Sequence, residues 1–343
     1  SSLCSRTCKV LPTTSGAMRP GAQVYVKVFD DEEAKSSGLV HRRIGHLVRG
    51  VMGCVVALLA AGCLVAARGA GRPGSAAGAA TEAVSLAGAG GPAMVHFSQI
   101  VNKTELPKLA GAGGSKSYLK DVAFSKVPGK EMAAGLYRLN AGPALIYTYT
   151  YEEIKYIVEG EFHLTDGTGQ KVVARAGDLM HFPRGTKVTF ETPNTGLGYY
   201  IGQRVSPEDA VEVDSAVKEA MESNPAMVYF PQIKETIGTQ PYLENEDKSN
   251  SFLGDIVFSK VLGKEMTAGL YLDEAGPALH YTYTYEELKY ILEGEFHLTD
   301  GTGQKVVAKK GDLMYFPKGS QIKFETPELG LGLYCGQRRG GEA

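Results

Sequence analysis

One stretch of sequence occurs twice, and this duplication constrains the fold more than any other feature. Residues 142–161 read GPALIYTYTYEEIKYIVEGE, and residues 276–295, 134 positions later, read GPALHYTYTYEELKYILEGE. Both copies alternate small, aromatic and aliphatic residues with a period of two and end on a Glu-Gly turn, a pattern typical of β-strands rather than helices. The chain of 343 residues has room for two domains built on these copies and for an additional segment.

The likeness between the two units extends well beyond this stretch. PAMVHFSQI begins at Pro92 and PAMVYFPQI at Pro225, and the units then match at most positions as far as Arg204 and Arg338. Both contain DGTGQK, which is typical of a hairpin loop whose glycines adopt positive φ angles. Short strands separated by such turns predict a β-sandwich or a β-barrel in each unit.

The segment between the units has a helical pattern. Ser206 is a good N-cap, Pro207 suits the first turn, and Asp209 completes a pair similar to a capping box. We expect a helix over 207–222 that docks on a barrel through an apolar stripe; a stripe that binds a partner is the alternative. The stripe comprises Ala210, Val213, Val217 and Ala220. The predicted divisions are 1–91 for a leader, 92–205 for the first domain, 206–224 for the linker and 225–343 for the second domain.

Charge and cysteine content exclude several classes of protein. The leader has a net charge of +5 and the remainder −7, so the repeated part lacks the basic surface of a nucleic-acid-binding protein. Four of the five cysteines lie in the leader, and only Cys335 lies in the repeats. This distribution forms no CxxC pair and no disulfide framework, and it excludes a thiolate metal site.

The leader contains a hydrophobic segment. Residues 51–67, VMGCVVALLAAGCLVAA, carry no charge; their length is the lower limit for a transmembrane helix and the upper end for a signal-peptide core. Arg42, Arg43 and Arg49 precede this segment, which favours a cytosolic N-terminus and translocated repeats.

The residues that follow this segment, ARGAGRPGSAAGAATEAVSLAGAGG, resemble a transit peptide in their Ala, Gly, Ser and Arg content. A hydrophobic core followed by such a stretch is similar to the two-part leader of proteins imported into complex plastids, which predicts a plastid location. A retained membrane anchor through 51–67 and an Ala-rich tail without a role are the alternatives.

Three motifs in each unit indicate a known family. They are Glu-Glu-x-x-Tyr-Ile-x-Glu-Gly-Glu, GQKVVA and Gly-Asp-Leu-Met-x-Phe-Pro-x-Gly. Together they resemble the cupins, small jelly-roll barrels, and are most similar to the ethanolamine-utilization Q-type cupins. The resemblance covers nearly all of both units. It implies an all-β protein with two tandem cupin barrels joined by one helix, preceded by the hydrophobic leader.

The resemblance also implies a metal site, formed by two histidines and a glutamate of the first motif and a histidine of the second. Glu153 and Glu287 match the glutamate. The positions counted for the histidines are Ile146, Thr148 and Val188 in the first unit, and His280, Thr282 and Ile322 in the second. Aliphatic and hydroxyl groups are poor ligands for transition metals. We therefore expect no metal in the first domain, a weak divalent site at His280 and Glu287 in the second, and no other cofactor.

The period of two predicts which side chains line each barrel. The expected inner residues are Thr148, Thr150, Glu153 and Lys155 in the first unit and His280, Thr282, Thr284, Glu287 and Lys289 in the second. The intervening tyrosines are Tyr147, Tyr149, Tyr151, Tyr281, Tyr283 and Tyr285, and we expect them on the opposite face, packed against a sheet or a subunit. The inner Glu and Lys are expected to pair, either as a structural ion pair or as a general acid and base.

Three functions follow from these patterns. The first is a tandem cupin that binds a small polar molecule with little or no metal-dependent catalysis. The second is an accessory or structural subunit of an organellar membrane complex, or a homo-oligomer, which meets its partner through the tyrosine-rich faces. The third, implied by the resemblance, is an enzyme of small-acid or acyl-phosphate chemistry, although the sequence contains no P-loop.

Overall fold

The computed structural model describes residues 91–125, 127–204, 215–259 and 261–341. The predicted leader, including its hydrophobic segment at 51–67, lies outside these residues, as does the first half of the predicted linker helix. Within the described ranges, no helix combines the length and the apolar character that crossing a membrane requires.

The described part of each repeat forms nine strands. The first repeat contains β1 (Val95–Phe97), β2 (Lys116–Phe124), β3 (Ala133–Asn140), β4 (Leu145–Thr148), β5 (Glu153–Asp166), β6 (Lys171–Arg175), β7 (Leu179–Phe182), β8 (Lys187–Glu191) and β9 (Thr195–Gly202), with the short helix α1 (Ile100–Lys103) after β1. The second contains β10 (Val228–Phe230), β11 (Asn250–Phe258), β12 (Thr267–Glu274), β13 (Leu279–Thr282), β14 (Glu287–Asp300), β15 (Lys305–Lys309), β16 (Leu313–Phe316), β17 (Gln321–Glu325) and β18 (Leu329–Gly336), with a 3-10 helix at Ile233–Thr236.

The repeats are linked by the helix α2, which spans Ser215–Ser223. Its C-terminal end lies against the first barrel, since a Cβ atom built on Gly185 would meet the Ala220 carbonyl oxygen at 2.0 Å. The Lys187 amide also donates to Asn224 Oδ1 at 3.2 Å. The described part of the linker is therefore a helix whose end is docked.

Each barrel contains one strand from the other repeat. The first barrel has the strand order β10-β7-β5-β9-β3-β2, and the second has β1-β16-β14-β18-β12-β11. Strand β1 pairs with β16, and β10 pairs with β7, both antiparallel. The divisions at 92–205 and 225–343 stay a prediction, and each barrel takes its outer strand from the other repeat.

A buried aspartate anchors each exchanged strand. Asp312 accepts hydrogen bonds from the Gln99 amide at 2.8 Å and from the Gln99 side chain at 2.8 Å. Asp178 holds Gln232 through the equivalent pair of bonds, at 2.8 and 2.7 Å. Burial alone would raise the pKa of Asp312, but the hydrogen bonds from Lys309, Gln99 and His96 outweigh it and lower the pKa. The ionised carboxylate is thus the form that holds the strand.

Three hydrophobic clusters lie within the residues that the structure describes. One lies inside each barrel, and the third contains residues of both repeats, among them Ile154, Tyr199, Leu288, Tyr290 and Leu333. The ends of the last strands add reciprocal hydrogen bonds between the barrels, from Gln203 to the Lys264 carbonyl and from Gln337 to the Lys130 carbonyl. The two barrels are therefore held together by a shared core as well as by exchanged strands.

The long strand β5 turns the corner of the first barrel at Gly160. Before this point β5 pairs with β7 and β9, and after it with β6 and β8. Gly160 has a φ of +65°, and a Cβ atom there would lie 2.0 Å from the Thr195 carbonyl oxygen. Gly294 has the same role in the second barrel, with a φ of +63°. Only glycine fits this conformation and this close approach.

We predict that Gly160→Ala lowers the free energy of unfolding by about 3 kcal/mol or more, because it adds a backbone clash to the strain of a positive φ. Gly169→Ala is the matched control: its φ is +90°, but no atom lies within 4 Å of the added Cβ. The control is expected to lose only about 1 kcal/mol. Urea unfolding followed by circular dichroism measures both. Equal losses of unfolding free energy in the two variants would show that the close approach of the Thr195 carbonyl oxygen does not exclude a Cβ atom at residue 160.

Candidate functional site

A buried ion pair lies at the start of the long strand in each barrel. Glu153 and Lys155 are two residues apart on β5, so both side chains point to the same face. Their residue exposures are both 4 %, and Lys155 Nζ donates to Glu153 Oε1 at 2.7 Å. The structure thus brings together the Glu and Lys that the sequence places on the inner face.

Tyrosine hydroxyls complete the hydrogen bonding of this carboxylate. Tyr149 donates to Glu153 Oε1 at 3.1 Å and Tyr151 donates to Oε2 at 3.3 Å. The Tyr147 and Tyr151 hydroxyls lie 3.2 Å apart. Burial, followed by the charge of Glu153, raises the pKa of Tyr149 well above its usual value. These phenols therefore stay protonated at neutral pH and act as hydrogen-bond donors.

Aromatic rings surround the ammonium group. Lys155 Nζ lies 4.9 Å from the ring centroid of Tyr137 and 5.1 Å from that of Tyr200, which is within cation–π range. On the other side, the ring of Tyr149 stacks on Phe182 at 4.7 Å between centroids. The interior at this level is filled by rings that shield the ion pair from water.

An arginine lies on the outer side of this cluster. The Arg204 guanidinium is 5.7 Å from the ring of Tyr151 and pairs with Asp121, which also accepts a hydrogen bond from Tyr200. Its side chain is 15 % exposed, so it lies at the boundary between the interior and solvent. Basic and acidic groups thus alternate from the interior to the surface, in the order Lys155, Glu153, Arg204 and Asp121. Tyr151 and Tyr200 connect them.

The second barrel repeats the arrangement. Glu287 Oε1 accepts from Tyr283 at 2.9 Å and lies 3.3 Å from Lys289 Nζ. Lys289 Nζ lies only 4.1 Å from the ring centroid of Tyr271. Burial lowers the pKa of Lys289, opposed by the charge and hydrogen bond of Glu287. Arg338 takes the place of Arg204 and pairs with Asp255.

One ionisable group distinguishes the two interiors. Asp273 is 2 % exposed and accepts a hydrogen bond from Ser251 Oγ at 2.9 Å. Burial raises its pKa to about 6, opposed by the Ser251 hydrogen bond and the Lys289 charge. The equivalent residue of the first repeat is Leu139, also buried. The second barrel therefore carries a carboxyl group that titrates near neutral pH, a group that sequence reasoning missed although the difference between the repeats could have indicated it.

The prediction of which side chains of β4 and of the residues after it point into the barrel was wrong. Ile146 is 61 % exposed, whereas Tyr149 is 2 % exposed and packs in the core of the first barrel. The large rings bury more apolar surface than the threonines, and this decides which face points inward. Thr148 and Thr150 are half-buried, and Thr282 and Thr284 are exposed. Because Tyr149 and Tyr283 point inward, the tyrosines do not form the outer face predicted to meet a partner.

The predicted metal pair is not brought together. The His280 side chain is 63 % exposed and lies 3.2 Å from Asp247, while Glu287 is buried at 3 % exposure. Among the described residues, no group of three or more His, Cys, Asp and Glu side chains could hold a metal ion. In each barrel the glutamate already faces an ammonium group and phenol donors, so the inner residues do not fit a transition metal.

A sequence comparison identifies the family. The pattern of the family described as ethanolamine utilisation protein EutQ matches residues 81–205 and 215–336, once in each repeat. The crystal structure of a Pseudomonas aeruginosa protein assigned as glyoxylate induced superposes with a TM-score of 0.52 at 16 % identity, covering 72 % of this chain and 90 % of that protein. The fold and the two repeats define a tandem cupin. The chain belongs to the EutQ family of ethanolamine utilisation proteins.

Curated relatives resemble a shorter part of the chain. An acetate kinase EutQ from Salmonella typhimurium is 40 % identical over 72 residues, which are 21 % of this chain and 31 % of the relative. Another, from Clostridioides difficile, is 35 % identical over 54 residues, which are 16 % of this chain and 34 % of the relative. The chain thus spans about a third of the length of the curated relatives it matches.

We predict that Lys155→Met lowers the free energy of unfolding by about 3–5 kcal/mol, because it leaves Glu153 buried without its counter-charge. Adding Glu153→Gln to this variant is expected to restore most of the loss. The matched control is the exposed pair Lys323–Glu325, whose charged atoms lie 2.8 Å apart with side chains 39 % and 45 % exposed. Lys323→Met should cost less than about 1 kcal/mol. Chemical unfolding measures all three, and similar losses at Lys155 and Lys323 would contradict a buried pair.

We also predict that Asp273→Leu, which introduces the residue of the first repeat, flattens the pH dependence of stability. The pKa of Asp273 is about 6 in the folded protein, above the ordinary aspartate value of 3.8, so ionisation opposes folding progressively as pH rises between these values. The stability difference between the variant and the wild type should therefore shift in favour of the variant, by up to roughly 2–3 kcal/mol, as pH rises from 4 to 7. Unfolding at pH 4, 5, 6 and 7 tests this. A difference independent of pH would mean that Asp273 does not titrate there.

Proposed function

We propose that each barrel binds a small polar molecule at its tyrosine-lined end, with little or no metal-dependent catalysis. The observation that carries this proposal is the buried Glu–Lys pair, which occurs in both barrels and is hydrogen-bonded to tyrosine hydroxyls. A lysine ammonium supplies the positive charge that a metal would otherwise bring, without open coordination positions.

The part-buried tyrosines are the expected point of contact. Tyr147 and Tyr151 join each other through their hydroxyls, and Tyr151 also lies beside Arg204. A small molecule with a carboxylate or hydroxyl group could replace one of these mutual hydrogen bonds and remain close to the guanidinium. In the second barrel Tyr281, Tyr285 and Arg338 are the equivalent contacts.

Titration of the full chain with acetate and, separately, with ethanolamine tests this proposal. Isothermal titration calorimetry is expected to show two sites for at least one of these probes. Tyr151→Phe and Tyr285→Phe should each remove one site, because each deletes a hydroxyl and leaves the ring. Tyr242→Phe is the control, since Tyr242 is 46 % exposed and packs on Phe252 away from both ion pairs. Absence of binding by both probes, or near-stoichiometric metal that persists through dialysis, would contradict the proposal.

A second candidate is acyl-phosphate chemistry, and the observation that favours it is the acetate kinase name of the curated relatives. This reaction would transfer the γ-phosphoryl group of ATP to acetate and release ADP. Asp273 is the residue expected to matter, because it adds a buried carboxyl group to the second barrel alone. Formation of acetyl phosphate by the full chain, lost in Asp273→Asn, would favour this candidate over simple binding.

For the leader we propose import of the barrels into a plastid, with anchoring through residues 51–67 as the alternative. The support is the Arg-flanked hydrophobic segment and the transit-like stretch after it. Cell fractionation with N-terminal sequencing tests this: cytosolic protein with an intact leader would contradict both forms of the proposal.

A further inference from the structure

A cavity of about 280 Å³ lies between the two repeats, outside both barrel interiors. Its lining includes Tyr156, Val158, Lys234, Tyr290, Leu292 and Lys310. Tyr156 and Val158 lie on β5, and Tyr290 and Leu292 lie at the equivalent positions of β14. The cavity thus occupies the seam where the two longest strands of the molecule approach each other, and its size is close to that of a site for a small ligand.

Two lysines of this seam cavity lack strong partners. Lys310 Nζ makes no hydrogen bond or ion pair that the described structure records, and the residue is exposed. Lys234 Nζ approaches only Glu293, at 3.5 Å, and that glutamate side chain is 54 % exposed. Such a long contact to a solvated carboxylate holds the lysine weakly. Both ammonium groups are therefore available to an anion.

Two buried tyrosines face the same cavity. Tyr156 is 7 % and Tyr290 is 4 % exposed, and their ring centroids lie 6.5 Å apart. Neither hydroxyl has a hydrogen bond with any residue that the structure describes, so both can bond to a molecule in the cavity. Burial, followed by the charges of Asp178 and Glu293, raises the pKa of Tyr156 to about 12. Its hydroxyl is therefore a donor at neutral pH.

Comparison of the repeats shows that the lysines are a specific feature of the second. The residue equivalent to Lys234 in the first repeat is Val101, and the residue equivalent to Lys310 is Ala176. The tyrosines, in contrast, occur in both repeats. The two substitutions lie far apart in sequence, yet both place an ammonium group on one cavity.

We propose that the seam cavity binds a small phosphorylated molecule. The two ammonium groups offer only hydrogen-bond donors and each phenol hydroxyl can donate one hydrogen bond, which suits a phosphate group with its two negative charges and several acceptor oxygens. Val158 and Leu292 provide an apolar wall for a short hydrocarbon or aromatic group attached to the phosphate. This site is independent of the sites proposed inside the barrels.

Isothermal titration of the full chain with phenyl phosphate tests the inference, with phenol as the uncharged analogue. One phenyl phosphate is expected to bind per chain, and more weakly as salt increases, because exposed charges are screened. Replacing both lysines by their first-repeat equivalents, Lys234→Val with Lys310→Ala, should weaken binding about tenfold or more. Lys309→Ala is the matched control, since Lys309 is adjacent in sequence but pairs with Glu295 at 3.0 Å and does not line the cavity.

Four results would overturn the inference, three of them in the titrations above and one in variants of the barrel sites. The first three are absence of phenyl phosphate binding by the wild type, equal binding by the double lysine variant, and equally tight binding of phenol. Tyr151→Phe and Tyr285→Phe, which alter the barrel sites, are expected to leave phenyl phosphate binding unchanged. Loss of binding in those variants would place the phosphate inside a barrel and would also contradict the seam site.

Discussion

Each barrel encloses a glutamate and a lysine that have almost no contact with water. In an apolar interior either charge alone would cost several kcal/mol, so each needs the other and further polar partners. Tyrosine hydroxyls satisfy the remaining lone pairs of Glu153, and the rings of Tyr137 and Tyr200 face the ammonium group of Lys155. This requirement explains why tyrosine, with an apolar ring and a polar hydroxyl, recurs on β4 and in the segment between β4 and the pair.

The position of the ion pair also depends on how the barrels are joined. The strands that carry Glu153 and Glu287 contribute Ile154, Tyr156, Leu288 and Tyr290 to the core shared by both repeats, so alternate residues face the barrel interior and the other repeat. The exchanged strands β1 and β10 are the terminal strands in the order of the same two sheets. Displacing one barrel would therefore disturb both interiors and the seam between them.

The sequence predicted the fold well because the duplication and the turns are local signals. The Glu–Lys pair was also predictable, since two charges two residues apart on a buried strand must face the same way and neutralise each other. The side of the strand on which the tyrosines lie was not predictable, because Ile146 and Thr148 alternate with rings that could have packed on either side. Strand exchange is invisible to local patterns, since Val95–Phe97 reads the same whichever barrel it joins.

The differences between the repeats carry more functional information than their likeness. Duplication begins with two identical sites, and later substitutions make them differ. Asp273 in place of Leu139 adds an ionisable group to an interior that excludes water, which costs stability unless the group has a partner or a role. Lys234 and Lys310 add two ammonium groups to one cavity, where Lys234 approaches Glu293 at 3.5 Å and Lys310 is exposed. These three groups lie in the second repeat, so the chemical environments of the two barrels, and of the two sides of the seam, are no longer equivalent.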